Sequence, residues 1–146
     1  MLAATSTSLQ SVDLPIEFWL TGGSTVRIAL PEGFEETPLA GGTIESPDHS
    51  MTTTQSYGLP PTYDQSIVVS VSTGSRVKDQ LVFSPQTSVR TLDDIRSVPV
   101  YSWHDADTGQ DAMAFAANAT TVLWIFTRNM QTDAVLAIVA GLEVST

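Results

Sequence analysis

The apolar period of the sequence changes in the last third of the chain, and this change constrains the fold more than any other feature. Residues 98–104, 112–117 and 121–127 form apolar or alternating runs separated by short polar turns, which predicts a meander of three strands. The apolar residues that follow recur at spacings of three, four and seven: Val135, Leu136, Ile138, Val139 and Leu142. This spacing predicts a helix of about ten residues, with Thr132 as its N-cap and its end at Gly141. We therefore predict an α+β fold in which a mostly antiparallel sheet carries a C-terminal helix on one face.

An alternating segment near the start predicts an N-terminal β-hairpin. Apolar residues occupy every second position of residues 14–20, which is the pattern of a strand with one buried face. Residues 21–24, Thr-Gly-Gly-Ser, favour a tight turn because glycine accepts positive φ at no steric cost. Val26, Ile28 and Leu30 then alternate with small or polar residues and form the second arm.

The middle of the chain predicts shorter elements, because residues 31–65 are rich in proline and glycine. A short hairpin is predicted there, with arms at 43–45 and 51–57. The β-branched run at 66–72 predicts a strand that is covered on both faces. The segment 91–96, Thr-Leu-Asp-Asp-Ile-Arg, predicts one or two helical turns, since its aspartates favour a helix start.

Composition limits the classes of function. A chain of 146 residues fits one domain, which we place at residues 13–146, after a flexible N-terminal arm of residues 1–12. The net charge is −10 and the six cations, Lys78 and five arginines, are scattered, which argues against nucleic acid as a partner. No apolar run reaches the roughly 20 residues that cross a bilayer, so we predict no membrane insertion by this segment. Cysteine is absent, which excludes disulfides, zinc thiolate sites and a cysteine nucleophile.

The hydroxyl content of the sequence predicts a location outside the cytoplasm. Serine and threonine together make up 35 of the 146 residues, so hydroxyl groups outnumber the charged side chains. Such a composition is more usual in exported or particle-forming proteins than in cytosolic enzymes. Residues 1–8 fit two interpretations, the remnant of a removed export signal or a natural polar arm. We predict an extracytoplasmic location, at the cell surface or in a periplasm-equivalent space.

The acidic turn at residues 105–111 is a candidate for two kinds of chemistry. Asp107-Thr108-Gly109 resembles the active-site loop of retropepsin-type aspartic proteases, in which two such aspartates share a proton. No apolar strand end precedes the motif here, so a hairpin turn is the favoured interpretation. Three aspartates of this turn alternate like the ligands of a calcium loop: Asp105, Asp107 and Asp111. The remaining ligands and the flanking helices of an EF-hand are missing from the pattern, which favours a solvated turn.

The sequence offers few groups for catalysis or cofactor binding. No Gly-x-Ser-x-Gly elbow and no phosphate-binding glycine pattern occurs. His49 and His104 lie 55 residues apart, and two histidines are too few to predict a metal site. We therefore predict a protein that is not an enzyme, with no catalytic residue, no metal ligand and no cofactor.

A loop rich in aromatic and proline residues is the predicted binding site. It comprises Tyr57, Leu59, Pro60, Pro61 and Tyr63. Such side chains give rigid apolar contact area at low entropic cost, as ligand-contacting loops do. The alternative is structural, with both tyrosines under the loop and holding it to the sheet. The three tryptophans lie in predicted strands and are assigned to the core or a sheet face: Trp19, Trp103 and Trp124.

Two segments carry a resemblance to known domains. Residues 28–34, Ile-Ala-Leu-Pro-Glu-Gly-Phe, resemble the opening strand of the Mog1/PsbP-like α+β domains. Residues 121–126 and 132–142 resemble the closing strand and helix of small extracytoplasmic domains in bacterial membrane-anchored proteins. Together the two segments cover about a quarter of the chain. The resemblance implies a non-enzymatic module outside the cytoplasm, and it carries no catalytic residues.

Three functional hypotheses follow from the sequence. The leading one is a binding or sensing domain of an exported or membrane-tethered bacterial protein that contacts a protein or small ligand through the loop at 57–64. The alternative is an assembly component, such as a virion or surface-layer subunit, that self-associates through a strand edge or the N-terminal arm. The third is a retropepsin-like protease, which would need a dimer and Asp107.

Overall fold

The computed structural model describes residues 9–14, 25–37, 42–47, 49–85 and 87–145. These residues form two antiparallel sheets, an α-helix, α1 (Thr132–Gly141), and a 3₁₀-helix (Val77–Gln80). The strands, in chain order, are β1 (Leu9–Leu14), β2 (Thr25–Pro31), β3 (Glu35–Glu36), β4 (Gly42–Glu45), β5 (Met51–Gly58), β6 (Ser66–Thr73), β7 (Arg90–Leu92), β8 (Val100–Asp105), β9 (Gln110–Asn118), β10 (Thr121–Arg128) and β11 (Glu143–Ser145). The prediction of a mostly antiparallel sheet with a C-terminal helix is therefore confirmed.

The small sheet has the order β1-β2-β11, and β2 is its central strand. β1 pairs with β2 in a register that places Leu14 opposite Val26. The predicted first arm at 14–20 lies almost entirely outside the described residues, as do the predicted turn at 21–24 and Trp19. Residues 9–12, which we assigned to a flexible arm, belong to β1, because their backbone pairs with β2.

The large sheet has the order β3-β5-β6-β10-β9-β8-β7, and β4 also pairs with β5. Consecutive strands β8, β9 and β10 lie side by side and antiparallel, as do β5 and β6. β4 and β5 form the short hairpin expected in the proline-rich middle. Its turn is closed by a hydrogen bond from the Ser46 amide to the Ser50 carbonyl, 2.8 Å, and His49 adopts a φ of 67° there.

The prediction of helical turns at 91–96 is wrong. Thr91 lies in β7, opposite Tyr101 of β8, and the residues after Leu92 form bends rather than a helix. The physical reason is packing. Every third residue of this segment packs against the core cluster, namely Leu92, Ile95 and Val98. An irregular chain can bury residues at this spacing as well as a helix can. Strand pairing and burial outweigh the weak local preference for a helix start.

The hydrophobic core lies between the large sheet on one side and β2 with α1 on the other. Its fully buried side chains come from all three of these elements and include Ile28, Val69, Phe115, Leu123 and Ile138. Because residues opposite each other in antiparallel strands share a face, the register of β6, β10 and β9 places Val69, Ile125 and Met113 in one row on this side. We call this side of the large sheet its inner face and the other its outer face.

The outer face differs in chemistry and in coverage. It carries the rings of Tyr101, Trp103 and Trp124, which are half-buried, above the small side chains of Ala112 and Ala114. On β5 and β6 it carries rows of hydroxyl groups. The segment from the 3₁₀-helix to Phe83 runs over part of this face. The expectation that residues 66–72 would be covered on both faces is therefore met only in part, because Val68 and Ser70 stay half-buried.

Arg96 joins the bend after β7 to the end of α1. Its Nη1 donates hydrogen bonds to the carbonyls of Val139 and Leu142, at 2.8 and 2.7 Å, and lies 3.4 Å from that of Ala140. Its guanidinium also lies over the ring of Phe115, 4.4 Å from the centroid. Desolvation by burial lowers the pKa of Arg96. The last carbonyls of α1, which lack partners within a helix, are thus satisfied by a cation at the negative end of the helix dipole.

Candidate functional site

Several connections meet at one end of the large sheet, because antiparallel strands alternate in direction. β5 and β8 end there, while β6 and β9 begin there. β10 ends at the same edge, and the chain then passes through residues 129–131 into α1. The predicted binding loop, the turn at 106–109 and the approach to β7 therefore lie at the same end of the sheet.

A cleft of about 320 Å³ opens at this end, on the inner face beside the start of α1. We call it the His104 cleft; its lining is Ser88, Arg90, Ser102, Trp103, His104, Asp111, Met113, Thr127, Met130, Thr132 and Val135. The register explains the grouping, because Arg90 lies opposite Ser102 and Thr127 lies opposite Asp111. Strands β7 to β10 each contribute to one wall, and the segment leading into α1 contributes the other.

His104 and Asp111 form a pair across the mouth of the β8–β9 hairpin. They are direct cross-strand partners, and His104 Nδ1 lies 2.8 Å from Asp111 Oδ1. Because an ionised carboxylate only accepts hydrogen bonds, Nδ1 is the donor in this pair. The imidazole is thereby fixed in orientation, and Nε2 makes no hydrogen bond to any other residue that the structure describes. Both side chains remain accessible, at 61% and 66% exposure.

The other histidine pair provides an internal comparison. His49 Nδ1 lies 3.2 Å from Glu45 Oε1 in the turn of the β4–β5 hairpin. The His49 side chain is 87% exposed and is not among the residues that line the His104 cleft. The same chemical pair thus occurs twice, once on an exposed turn and once in a cleft.

Arg90 is the cation of the His104 cleft, and it differs from the other arginines. Arg27 lies 3.7 Å from Glu143, and Arg76 lies 3.3 Å from Asp79. Arg96 binds the end of α1, and Arg128 donates to the carbonyl of Thr108 at 2.9 Å. Arg90 makes no side-chain hydrogen bond or ion pair within the described part of the chain. Its side chain is exposed, so its five N–H donors are accessible to a ligand.

An apolar wall adjoins these polar groups, formed by Met113 on β9, Met130 before α1 and Val135 in α1. Met113 is 6% exposed and Val135 is 4% exposed, and both belong to the core cluster. Met130 packs against the same cluster and also lines a smaller cavity beside Gln65. Ser102 and Thr127 add hydroxyl groups to the lining of the cleft. A few polar groups placed against an apolar wall are typical of small-molecule sites.

The acidic turn at 105–111 is a hairpin turn in the structure. Gly109, with a φ of 73°, donates its amide to the Asp105 carbonyl at 2.8 Å, and the Asp107 amide donates to Asp105 Oδ1 at 3.0 Å. The local hydrogen bonds explain why Asp, Thr and Gly occur here. Within the described residues, no group of three or more His, Asp or Glu side chains is arranged to hold a metal ion.

The predicted binding loop is well ordered by its own hydrogen bonds. The Leu59 amide donates to the Gln65 carbonyl at 3.0 Å, and the Tyr63 amide donates to the Leu59 carbonyl at 2.9 Å. Asn129 Nδ2 donates to the Asp64 carbonyl at 2.8 Å, which ties the loop to the segment before α1. Gly58 is required there, because a Cβ at this position would lie 2.9 Å from the Gln65 carbonyl.

The five predicted loop residues divide into two groups. Tyr57 is 7% exposed and belongs to the core, and burial, with a smaller effect of the Glu36 charge, raises its pKa to about 12. Tyr63 is half-buried against Gly58, as the structural alternative expected for both tyrosines. The remaining three lie at the surface or half-buried: Leu59, Pro60 and Pro61. The role of this loop in binding stays a prediction.

The tryptophans of the outer face form an aromatic cluster with two other rings. The centroids of Phe83 and Trp103 are 5.0 Å apart, and those of Trp103 and Trp124 are 6.2 Å apart in an edge-to-face arrangement. Phe83 also lies 5.6 Å from Tyr101. Trp103 and Trp124 were assigned to the core or a sheet face, and they lie on a sheet face.

Sequence reasoning missed the His104 cleft, although one signal was available. A four-residue turn at 106–109 makes His104 and Asp111 opposite each other in the hairpin. Counting back from the turn would have paired them. Arg90 carried no comparable signal, because β7 was not predicted and its neighbour β8 is reached only through the irregular segment after Leu92.

Comparisons with known proteins add no identification. No protein-family model, no curated protein and no solved structure matches this chain. The resemblance to Mog1/PsbP-like domains therefore stays a prediction. Within the described residues, α1 is the longest helix and none is both long and apolar enough to cross a membrane.

Proposed function

We propose that this chain is a non-enzymatic binding or sensing domain of an exported or membrane-tethered bacterial protein, and that it binds a small ligand in the His104 cleft. The observation that carries the proposal is the arrangement of that cleft. It places Arg90 and the His104–Asp111 pair next to the apolar side chains of Met113 and Val135, which line the same cleft. A volume of about 320 Å³ lies in the range of small-molecule sites.

The geometry supports binding over catalysis. A nucleophile and its base must lie within hydrogen-bonding distance of each other, and no serine or threonine side chain is hydrogen-bonded to His104 in the described residues. The histidine and its aspartate are also more than half exposed, so water has free access to both. A polar pair in this setting orients a ligand more readily than it activates one.

The predicted loop supports the same end of the molecule as the binding end. Asn129 links the loop to the segment before α1, and the next residue, Met130, lines the His104 cleft. We propose that the loop residues Leu59 and Pro61 flank the ligand or contact a larger partner that covers the cleft. A rigid loop loses little entropy on binding, which favours such a role.

An extracytoplasmic location is part of the proposal and rests on the hydroxyl-rich surface. In the structure, paired hydroxyls cover the outer face of β5 and β6, where Thr52 and Ser72 lie 2.8 Å apart. Fractionation of a native host, with detection of this chain by antibody, tests the location. Recovery of the chain in the cytoplasmic fraction alone would contradict it.

The test of the binding proposal is a fragment screen followed by amide chemical-shift mapping on ¹⁵N-labelled protein. We expect hits to shift amides of β8, β9 and residues 129–135, and His104→Ala to weaken them. His49→Ala is the matched control, since it removes the other histidine of a His–carboxylate pair and leaves the cleft intact. Shifts that avoid the cleft, or equal losses in both variants, would refute the assignment.

The second candidate function is an assembly subunit, and one observation favours it. Strand β4 pairs with β5 and has no other strand partner in the described residues, and its Ile44 side chain is 70% exposed. An exposed apolar residue on an edge strand favours addition of a strand from a second chain. Light scattering after size exclusion tests it: a monomer for the native chain counts against assembly, and an oligomer lost in Ile44→Lys supports it.

A further inference from the structure

The His104 cleft contains one unengaged cation and one apolar wall, which together specify a ligand class. We propose that its ligand is a small aliphatic monocarboxylate, with the carboxylate on Arg90 and the hydrocarbon part against Met113, Met130 and Val135. This inference rests on the proposed function, because it requires that the cleft binds a ligand. It adds the chemical class of that ligand and the residue that recognises it.

The first support is the state of Arg90. The Arg90 side chain is exposed, so its guanidinium is accessible to a ligand. Four of the five arginines bind a carboxylate or backbone carbonyls, and Arg90 does not, within the described residues. Its planar guanidinium presents paired donors that match the two oxygens of a carboxylate. An incoming carboxylate would satisfy these donors.

The second support is the placement of the polar groups around one point. Arg90 lies directly opposite Ser102, and His104 lies two residues further along β8 on the same face. Diagonal neighbours of this kind have Cβ atoms about 7–8 Å apart, which leaves room for one small head group between their side chains. Ser102, the cross-strand partner of Arg90, lines the same cleft and adds a hydroxyl group that can donate to a carboxylate oxygen.

The third support concerns charge, and it selects a monocarboxylate over a dianion. Asp111 lines the same cleft, where it is engaged by His104 at 2.8 Å. Its negative charge opposes a second negative charge on the ligand, as in a phosphate dianion or a dicarboxylate. Because the cleft has one arginine, Arg90, and one carboxylate, Asp111, a ligand with a single negative charge is favoured.

The apolar wall selects the rest of the molecule. Met113 and Val135 are almost fully buried, and Met130 packs on the same cluster beside them. Methionine side chains adapt to aliphatic groups of differing shape, because they are unbranched and polarizable. A short aliphatic chain extending from the carboxylate would remain in contact with this wall within a cleft of about 320 Å³.

The experiment titrates the full ¹⁵N-labelled chain with two isosteric organic compounds and one inorganic anion, and it detects binding by amide chemical shifts. The probes are 4-methylpentanoate, its amide 4-methylpentanamide, and inorganic phosphate. We expect the carboxylate to shift amides of β7, β8 and residues 129–135 in a saturable way, and the amide to bind at least about tenfold more weakly. Phosphate should shift these amides less than the carboxylate does.

A variant pair tests the residue. Arg90→Gln should weaken 4-methylpentanoate by about tenfold or more, since it removes a charge-assisted contact, and leave 4-methylpentanamide unchanged. Arg76→Gln is the matched control, because Arg76 is a surface arginine that pairs with Asp79 and lines no described part of this cleft. The amide spectrum of each variant verifies its fold, and the probe comparison on the native chain is independent of both.

The outcomes separate the two proposals. If both organic probes bind equally in the cleft and Arg90→Gln changes neither, the carboxylate inference is overturned and the binding function stands. Tighter binding of phosphate than of 4-methylpentanoate overturns it in the same way. If neither organic probe shifts the cleft amides, the inference is overturned, and a fragment screen that also avoids the cleft removes the proposed function.

Discussion

The inner and outer faces of the large sheet are built from the same strands and differ in almost every other respect. On β10, Leu123 and Ile125 point inward and are fully buried, while Trp124 between them points outward and is half-buried. On β6, Val69 and Val71 are buried inward, whereas Ser70 faces outward and pairs with Thr54 at 2.8 Å. One face is a core and the other is a surface of rings and hydroxyls.

Alternation along a strand and burial of a sheet face therefore have different causes. Alternation follows from the geometry of the strand, which points successive side chains to opposite sides. Burial follows from what packs on each side, and here β2 and α1 cover only the inner face of the sheet. Polar side chains occur on both faces, since Thr53 and Gln55 are buried on the inner side.

The largest expected effect contrasts two neighbours on β10. Leu123→Ala should lower the free energy of unfolding by about 3 kcal/mol, because it leaves a cavity in a closed core. Trp124→Ala should cost only about 1–2 kcal/mol, because its ring is half-buried and water can replace part of it. Urea unfolding of both variants measures this. Equal losses would remove the distinction between the faces.

Variants of Arg96 test how much the link between the end of α1 and the bend after β7 contributes to the stability of the protein. Arg96→Met should lower the free energy of unfolding by about 2 kcal/mol, because it removes the hydrogen bonds to the Val139 and Leu142 carbonyls and the contact with Phe115. Arg96→Lys keeps the charge and should recover part of the loss. An unchanged midpoint for Arg96→Met would show that α1 needs no such cap.

Burial of Tyr57 makes the stability of the protein depend on pH in the alkaline range. Its pKa rises from 10.0 to about 12 on folding, so the unfolded chain loses the phenolic proton first. Stability from this group is complete below pH 10 and falls as the pH rises toward 12, by about 2 kcal/mol near pH 11.5. Tyr57→Phe should remove this part of the slope. Tyr101→Phe on the outer face is the control, and an unaltered slope in Tyr57→Phe would contradict the burial of the phenol.

The smallest expected effect concerns the hydroxyl rows of the outer face. Thr54→Ala removes one hydroxyl of a pair with Ser70 that borders solvent, so we expect a loss of about 0.5 kcal/mol. Ser70→Ala should match it, and the double variant should cost little more than either single one. A loss of about 2 kcal/mol in the free energy of unfolding, measured by thermal melting, would mean that the hydroxyl rows stabilise the protein about as much as core residues do.

Much of the fold was predictable because its patterns are local. The helix stripe of Val135, Ile138 and Val139 is buried as predicted, and α1 covers Thr132–Gly141. Its N-cap is Gln131, without a side-chain hydrogen bond, so Thr132 does not cap the helix as expected. Such differences of one residue arise because the cap depends on how the chain enters from β10.

The candidate site was far less predictable. His104 and Asp111 are seven residues apart and meet because of the hairpin register, while Arg90 joins them only through the pairing of β7 with β8. The prediction of helical turns at 91–96 was incompatible with a strand at 90–92, so the pairing of β7 with β8 was not predicted. Tyr57 was a candidate of the binding loop, with a place under the loop as the alternative, and in the structure it belongs to β5 and to the core.

The alternation of apolar residues in the strands, the apolar stripe of the C-terminal helix and the hydrogen-bonded turns can be read from the amino-acid sequence, because each depends on residues that are close together in the chain. The covered face of each strand and the set of polar side chains that share a cleft cannot be read in this way. These depend on pairing between distant segments, as between Arg90 and Ser102 or Arg96 and the end of α1. Such contacts form only when the layers pack, and no local pattern encodes them.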